Sequence, residues 1–148
     1  MVEIVEISKY ELIPIIHYSY EGDFDLANLY HLKKYTIEEA ALRTIELINE
    51  HEKQVEFKFL KVICNSTLIG YFITSGDFLY SFCVRMEFRT KEVLTEWWKA
   101  ILDYVGNNIK IGIMSNNTRA IKYFEKRGMS ITWQNPEMNE PNEILFTF

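Results

Sequence analysis

The chain has 148 residues, of which 48% are hydrophobic and 25% charged, a balance typical of a single domain covering residues 1–148. Its 16 basic and 21 acidic residues leave a net charge of −5 without a basic run, so we expect no nucleic-acid partner. No apolar stretch reaches the about 18 residues of a membrane span, and the acidic start lacks the order of a signal peptide. We therefore expect a soluble, cytoplasmic protein without a membrane partner.

The first elements are predicted from capping residues. Residues 2–7 read as a short strand at an edge or under good cover. Ser8 followed by Glu11 has the form of a capping box, so a helix should begin there, although Pro14 is expected to kink or shorten it. A broken helical region then extends from about residue 10 to residue 32.

A second capping signal lies further along the chain. Thr36 is followed by Glu39, and apolar residues recur at helical spacing as far as Glu50. From Val55 the apolar residues alternate with charged ones, which predicts a strand. Turns at 65–67 and 75–77 then lead into strands at 68–74 and 78–86, so three consecutive antiparallel strands are expected.

The second half returns to the helical period. One apolar face from Val93 to Val105 predicts a long helix that packs Trp97 and Trp98 on the sheet and ends at Gly106. Residues 109–114 read as a strand, and Asn116 or Asn117 caps a further helix that Gly128 stops. Residues 130–134 and 143–148 look like a hairpin, and Trp133 is expected to join the other tryptophans in the core.

Cysteines and histidines give no metal-binding pattern. Cys64 and Cys83 each lie in a strand-like run without a further ligand at metal spacing, so both are predicted to be buried free thiols. His31 and His51 are expected at the surface. His17 stands in the crowded polar and aromatic segment 15–21, where polar groups could converge. No metal is expected.

Two segments carry a resemblance to a known family. The first, residues 84–94, aligns with a family pattern V-R-P-E-Y-R-G-K-G-I-G and retains its Val, Arg, Glu, Arg and Lys. The second family pattern, N-x-x-A-x-x-x-[YF]-E-K-x-G-F, is matched by Asn117, Ala120, Phe124, Glu125, Lys126 and Gly128. With the element order β, α, α, β, β, β, α, β, α, β, β, the chain resembles the GNAT superfamily of acyl-CoA-dependent N-acetyltransferases. A narrower likeness is to compact GNAT-like proteins encoded by bacteriophages.

The resemblance implies an α+β fold with α/β/α layers. The sheet would be mixed and mostly antiparallel, with six to seven strands, helices on both faces and a splayed pair formed by the fourth and fifth strands. It also implies acetyl-CoA as cosubstrate and an amine as acceptor. The residues that it assigns to the coenzyme are Cys83, Val84, Arg89, Thr90, Lys91, Glu92, Val93, Leu94, Asn117, Ala120, Phe124 and Lys126.

The coenzyme loop departs from the family at its glycines. These glycines let backbone N–H groups at a helix start approach the pyrophosphate, but Thr90, Glu92 and Leu94 replace them here. Glu92 also places a negative charge towards a diphosphate, an unfavourable contribution of about 1 kcal/mol. Arg89, Lys91 and the helix N-terminus could compensate. Two interpretations stay open: a retained coenzyme site, or an ordinary capped helix that binds nothing.

The catalytic residues are not evident from the sequence. The family often uses a Tyr as acid where this chain has Phe124, and Tyr123 points about 100° away around the helix. On the fourth strand, where the family often places a Glu or Asp as base, this chain has Tyr80, Ser81 and Phe82, none of which is a carboxylate. The remaining candidates are Tyr123, Glu21 and His17. Tyr123 reads first as a packing residue, and Glu21, His17 and the neighbouring Asp23 read first as solvated surface groups.

Three hypotheses follow for the function. The chain is an active N-acetyltransferase, a catalytically drifted GNAT-fold binding or structural protein, or a different α+β domain without the splayed strands. A homodimer is an open alternative to a monomer.

Overall fold

The computed structural model describes residues 1–23, 36–137 and 141–148. Its strands are β1 (Val2–Ile7), β2 (Lys58–Cys64), β3 (Thr67–Ser75), β4 (Phe78–Val84), β5 (Lys110–Met114), β6 (Ser130–Gln134) and β7 (Glu143–Thr147). Its helices are α1 (Lys9–Tyr20), α2 (Ile37–His51), α3 (Lys91–Val105) and α4 (Thr118–Glu125). His31 and most of the helical region predicted beyond α1 lie outside the described residues.

The seven strands form one mixed sheet in the order β1-β2-β3-β4-β5-β7-β6. Every neighbouring pair is antiparallel except β4 and β5, which are parallel. The predicted run of three antiparallel strands and the edge position of β1 are therefore confirmed. The final hairpin is also confirmed, but β7 lies inside β6 and pairs with β5.

Helices cover both faces of the sheet, as the predicted layering requires. On one face α3 and α4 pack against the strands through a cluster that includes Trp97, Trp98, Ile101 and Phe124. On the other face α1 and α2 contribute Leu12, Ile16, Ala41 and Ile48. The sheet thus separates two apolar clusters, and burial of this surface is the main favourable contribution to folding.

Side-chain caps start all four described helices, and the sequence predicted three of them. The Glu11 N–H donates to Ser8 Oγ at 3.3 Å, and the Glu39 N–H donates to Thr36 Oγ1 at 3.1 Å. Asn117 Oδ1 accepts from the Ala120 N–H at 3.2 Å at the start of α4. These predictions are confirmed because a cap depends only on residues a few positions apart.

Other local predictions need correction. The helix α1 continues through Pro14 to Tyr20, so the proline does not shorten it. The strand β2 begins at Lys58 and leaves Val55 exposed, while β4 ends at Val84 and is followed by a short 3-10 turn. Trp133 is 45% exposed because β6 is an edge strand of the sheet, so the prediction of a core role was wrong.

The two thiols agree with the sequence prediction. Cys64 and Cys83 are both free and buried, as predicted. His51 is exposed and its Nδ1 lies 3.2 Å from the Tyr80 hydroxyl. Among the described residues, no group of three or more His, Cys, Asp or Glu side chains is arranged to hold a metal ion. No helix in the same part of the chain is long and apolar enough to cross a membrane.

Gly70 sets how closely β3 passes β4. A Cβ atom at this position would lie 2.1 Å from the Cys83 carbonyl oxygen and 3.0 Å from Val84 Cα, both of them backbone atoms. We predict that Gly70→Ala lowers the free energy of unfolding by about 3 kcal/mol, measured by urea denaturation.

Gly112→Ala is the matched control, because the atoms nearest to its Cβ would belong to side chains and not to the backbone, the Phe78 ring at 3.0 Å and Glu143 Oε1 at 3.6 Å. A flexible ring can move, so the expected loss is about 1 kcal/mol. Equal losses in the two variants would contradict the role given to Gly70.

Candidate active site

The sheet opens between β4 and β5. The two strands pair only through Phe78 with Lys110 and Leu79 with Ile111. A register shift against β3 leaves Tyr80 as an extra residue in β4, and such a bulge increases the local twist. Beyond Leu79 no described strand continues the pairing of β4 on this side. The splayed pair expected from the sequence is therefore confirmed.

The backbone of Val84 faces this opening. The Arg85 N–H donates to the Ile69 carbonyl on β3 at 2.7 Å. In an antiparallel pair successive residues direct their N–H and C=O groups to opposite sides, so Val84 directs its own away from β3. The Val84 carbonyl accepts from Arg89 Nε at 2.7 Å. The Val84 N–H is therefore directed into the opening.

A cavity of about 170 Å³ occupies the opening. Its walls come from β4 between Tyr80 and Val84, from Gly112 of β5, from α3 and α4, from Tyr20 of α1 and from Asp23 just after that helix. Of the predicted coenzyme residues, the cavity is lined by Cys83, Val84, Arg89, Leu94, Asn117, Ala120 and Phe124. Thr90, Lys91, Glu92, Val93 and Lys126 do not line it. The structure thus brings together both sequence motifs on one cavity.

The start of α3 is a capped helix terminus. Thr90 Oγ1 accepts from the Val93 N–H at 3.3 Å, and the Thr90 carbonyl accepts from the Leu94 N–H at 2.9 Å. Capping satisfies one of the orphan N–H groups of the first turn and leaves those of Lys91 and Glu92 as the ones available to an anion. The N-terminus can therefore hold a phosphate with fewer N–H groups than a glycine loop would present.

Asp23 is the main surprise of the site. Its side chain is 1% exposed, and its Oδ2 lies 2.7 Å from Arg89 Nη2 and 3.2 Å from Arg119 Nη2. Burial alone raises the pKa of this carboxyl, but the hydrogen bonds and charges of Arg89 and Arg119 outweigh it, and the pKa lies below its ordinary value. Asp23 is therefore an ionised, buried group, and its prediction as a solvated surface residue was wrong.

Arg89 points inward rather than towards the start of α3. Besides Asp23 and the Val84 carbonyl, its guanidinium contacts Cys83, with Nη2 3.6 Å from Sγ. Burial raises the pKa of the Cys83 thiol to about 11 despite the neighbouring Arg89 charge, so the thiol is protonated at neutral pH. The arginine of the predicted coenzyme loop therefore makes its polar contacts with β4 and Asp23.

Three buried polar atoms of residues that line the cavity have no hydrogen-bond partner among the described residues. They are Asp23 Oδ1, Arg89 Nη1 and Trp97 Nε1, and all three are buried. Buried polar groups are nearly always satisfied by protein, water or ligand, and each unsatisfied one costs about 1–3 kcal/mol. The wall is therefore incomplete in its hydrogen bonding.

A chain of buried hydroxyl groups reaches the cavity from the other side. The Tyr20 and Tyr71 hydroxyl oxygens lie 2.9 Å apart, and Tyr71 lies 3.0 Å from Ser81 Oγ. Burial raises the pKa of both tyrosines, so both hydroxyls stay neutral. Sequence reasoning missed this chain; the only signal was the aromatic and polar crowding of residues 15–21.

Glu21 joins His17 and Arg85 in a hydrogen-bonded group outside the cavity lining. His17 Nδ1 lies 2.9 Å from Glu21 Oε1, and Arg85 Nη1 lies 3.0 Å from Glu21 Oε2. The hydrogen bond from Arg85 lowers the pKa of Glu21 most, followed by that from His17. Arg85 also donates to the Tyr18 carbonyl at 2.8 Å. The predicted convergence around His17 is present, and it joins α1 to the end of β4.

Tyr123 lines the cavity but its proton is engaged. Its hydroxyl donates to the Leu94 carbonyl at 2.8 Å, and the Arg127 guanidinium lies 3.6 Å from its ring centre. Burial raises its pKa. Phe124 is buried beside it and packs edge-on against Phe82. The contacts of Tyr123 tie α4 to the first turn of α3, as the packing interpretation expected.

Solved structures share this architecture. No family model matches the chain, and no curated protein does either. An acetyl transferase from Salmonella typhimurium that modifies the N-terminal serine of a 50S ribosomal subunit protein superposes with a TM-score of 0.64 at 10% identity, covering 98% of this chain and 92% of that chain.

Two further structures give similar values. The PaiA N-acetyltransferase from Thermoplasma acidophilum, in complex with coenzyme A, has a TM-score of 0.59 and 16% identity, with 99% of this chain and 98% of that chain covered. A GNAT-family acetyltransferase from Bacillus cereus has a TM-score of 0.59 and 15% identity, with 99% and 95% covered.

The fold is thus a mixed seven-stranded sheet that helices cover on both faces. It opens between β4 and β5, the one parallel pair among the described strands. This is the fold of the GNAT superfamily, which the two sequence motifs predicted. At these identities the likeness concerns the fold.

The Asp23 ion pairs generate a prediction on stability. Asp23→Asn leaves two arginines without their buried counter-charge, so we expect the free energy of unfolding at neutral pH to fall by about 3 kcal/mol. The pKa of Asp23 is lower in the folded state, so its contribution is present above the unfolded pKa and is lost as the pH falls through the folded pKa. The difference between wild type and variant should therefore shrink in acid, measured by denaturation at several pH values.

Glu21→Gln serves as the control, because Glu21 also pairs with an arginine but its side chain is 43% exposed. Its loss should be much smaller than that of Asp23→Asn. Equal losses, or a pH-independent difference for Asp23→Asn, would contradict the buried, ionised state of Asp23.

Proposed function

We propose that the chain is an acyl-CoA-dependent N-acetyltransferase that transfers the acetyl group of acetyl-CoA to an amine. The proposal rests on the part of β4 from Tyr80 to Val84, which does not pair with β5. This part of the strand directs the Val84 N–H into a cavity beside the start of α3. The sequence motifs on both walls and the coenzyme A bound by a structural neighbour support it.

The residues present fit the acyl arm of the coenzyme better than its phosphates. The arm would lie along β4 at Cys83 and Val84, with Asn117 and Ala120 of α4 on the opposite wall. The diphosphate would depend on the amides of Lys91 and Glu92, because Arg89 is turned towards Asp23. We therefore expect binding that is weaker than a glycine loop would provide.

In the transfer the amine nitrogen attacks the thioester carbonyl carbon. The new C–N bond forms, the C–S bond breaks, the nitrogen loses a proton and the thiolate gains one. The Val84 N–H can stabilise the negative charge that develops on the carbonyl oxygen. Phe124 has no proton to give and the Tyr123 proton is held by the Leu94 carbonyl, so water is the proton source that the site offers the thiolate.

Calorimetric titration of the protein with acetyl-CoA tests the proposal. Binding heat, a thermal shift, and release of free coenzyme A when an amine is added are the expected results. No heat and no thermal shift at millimolar ligand would overturn it and favour the alternative, a GNAT-fold binding or structural protein without catalysis.

Glu92 is expected to weaken coenzyme binding. Glu92→Gly removes a negative charge and a side chain from the start of α3, so the affinity for acetyl-CoA should rise about five-fold, equivalent to about 1 kcal/mol. Glu96→Gly makes the same change one turn further into α3 and should leave the affinity unchanged. Equal effects at the two positions would show that the phosphates bind elsewhere.

Tyr123 is expected to act in packing. Tyr123→Phe removes the hydrogen bond to the Leu94 carbonyl, so the free energy of unfolding should fall by about 1 kcal/mol. The rate of acetyl transfer should stay within about two-fold of wild type, because a loss of stability alone does not change the chemical step. A rate loss of two orders of magnitude or more, without a change in acetyl-CoA affinity, would instead make Tyr123 the general acid.

A further inference from the structure

Two residues that line the cavity, Asp23 and Arg89, form an ion pair with one unsatisfied acceptor and one unsatisfied donor. Asp23 Oδ1 and Arg89 Nη1 are buried, and neither has a partner among the described residues. The other ends of the same two groups, Asp23 Oδ2 and Arg89 Nη2, lie 2.7 Å apart. Each unsatisfied atom is bonded to the same carbon as one atom of that contact, so both belong to one ion pair and we call this pair the polar patch.

The patch distinguishes between ligand chemistries. The ionised Asp23 oxygen accepts hydrogen bonds, so it suits the N–H groups of an amine, while Arg89 and Arg119 already balance its charge. Arg89 Nη1 can only donate, so it suits a carbonyl or carboxylate oxygen. A ligand with only one of these groups leaves the other buried atom unsatisfied, which costs affinity. A ligand with an amine next to a carbonyl satisfies both.

The patch lies beside the proposed acyl site. Arg89 Nε donates to the carbonyl of Val84, the residue whose N–H is directed into the opening. The same guanidinium therefore contacts the backbone that would hold the acyl group and the carboxylate that would hold an amine. An amine bound at Asp23 would therefore lie in the same cavity as the proposed acyl group, with Arg89 in contact with both sites.

We propose that Asp23 and Arg89 bind the acceptor, and that the acceptor is a primary amine with an adjacent carbonyl or carboxylate oxygen, as in the amino end of an amino acid or peptide. The role as acceptor rests on the proposed acetyl transfer, while the binding of this chemical group rests on the patch itself. Asp23 and Arg89 then determine specificity.

Three small probes of similar size test the inference by calorimetry or NMR titration of the intact protein. Glycinamide carries both groups, propylamine carries only the amine and propionamide carries only the carbonyl. Glycinamide is expected to bind at least ten-fold more tightly than either of the others. Equal affinities of glycinamide and propylamine would overturn the inference.

Two variants connect the result to the patch. In Asp23→Asn the affinity for glycinamide should fall at least ten-fold, while the control Glu21→Gln should bind it as wild type does. Arg89→Lys keeps the charge next to Asp23 but removes Nη1, so it should lose the preference for glycinamide over propylamine even if Asp23→Asn does not fold. Retention of that preference in Arg89→Lys would contradict the inference.

A parallel titration with acetyl-CoA separates the two proposals. If acetyl-CoA binds but glycinamide binding does not depend on Asp23 or Arg89, the acceptor inference fails and the transferase proposal stands. If acetyl-CoA does not bind but glycinamide binds through Asp23, the transferase proposal and the acceptor role fail, and the patch remains a site for this chemical group.

Discussion

The buried ion pairs of Asp23 connect the elements that surround the opening in the sheet. The carboxylate lies just after α1, Arg89 lies just before α3 and Arg119 lies in the first turn of α4. A carboxylate that is 1% exposed is stable as an ion only when it is paired, so the three elements must meet at this point. Because β4 and β5 do not pair beyond Leu79, these contacts between side chains take the place of strand pairing in closing the site.

The same ion pairs determine where the arginine of the predicted coenzyme loop points. Arg89 stands in the family motif, but its guanidinium contacts Asp23, Cys83 and the Val84 carbonyl. The start of α3 therefore has a threonine cap in place of glycines, and the Arg89 guanidinium is directed away from it. In the proposed site the backbone of β4 would hold the acyl group, whereas the start of α3, which would hold the diphosphate, lacks the glycines that expose its N–H groups.

Much of the fold follows from local patterns. Ser8, Thr36 and Asn117 cap helices through bonds that span three residues, and these signals are visible in the sequence. Burial depends on distant contacts and is harder to predict. The partner of Asp23 in α4, Arg119, lies 96 positions along the chain, so the sequence gives no local sign of the buried pair. Trp133 is a large apolar residue of the kind found in cores, but it lies on an edge strand of the sheet.

The central claim is that the opening holds an acyl group at the Val84 N–H. The most direct test is an NMR titration that compares the backbone amide signal of Val84 with acetyl-CoA and with coenzyme A, which differ only in the acetyl group. A hydrogen bond to the acetyl carbonyl predicts a downfield shift of the Val84 amide proton with acetyl-CoA beyond that seen with coenzyme A. Identical Val84 shifts with both ligands, or shifts confined to residues away from β4, would contradict the claim.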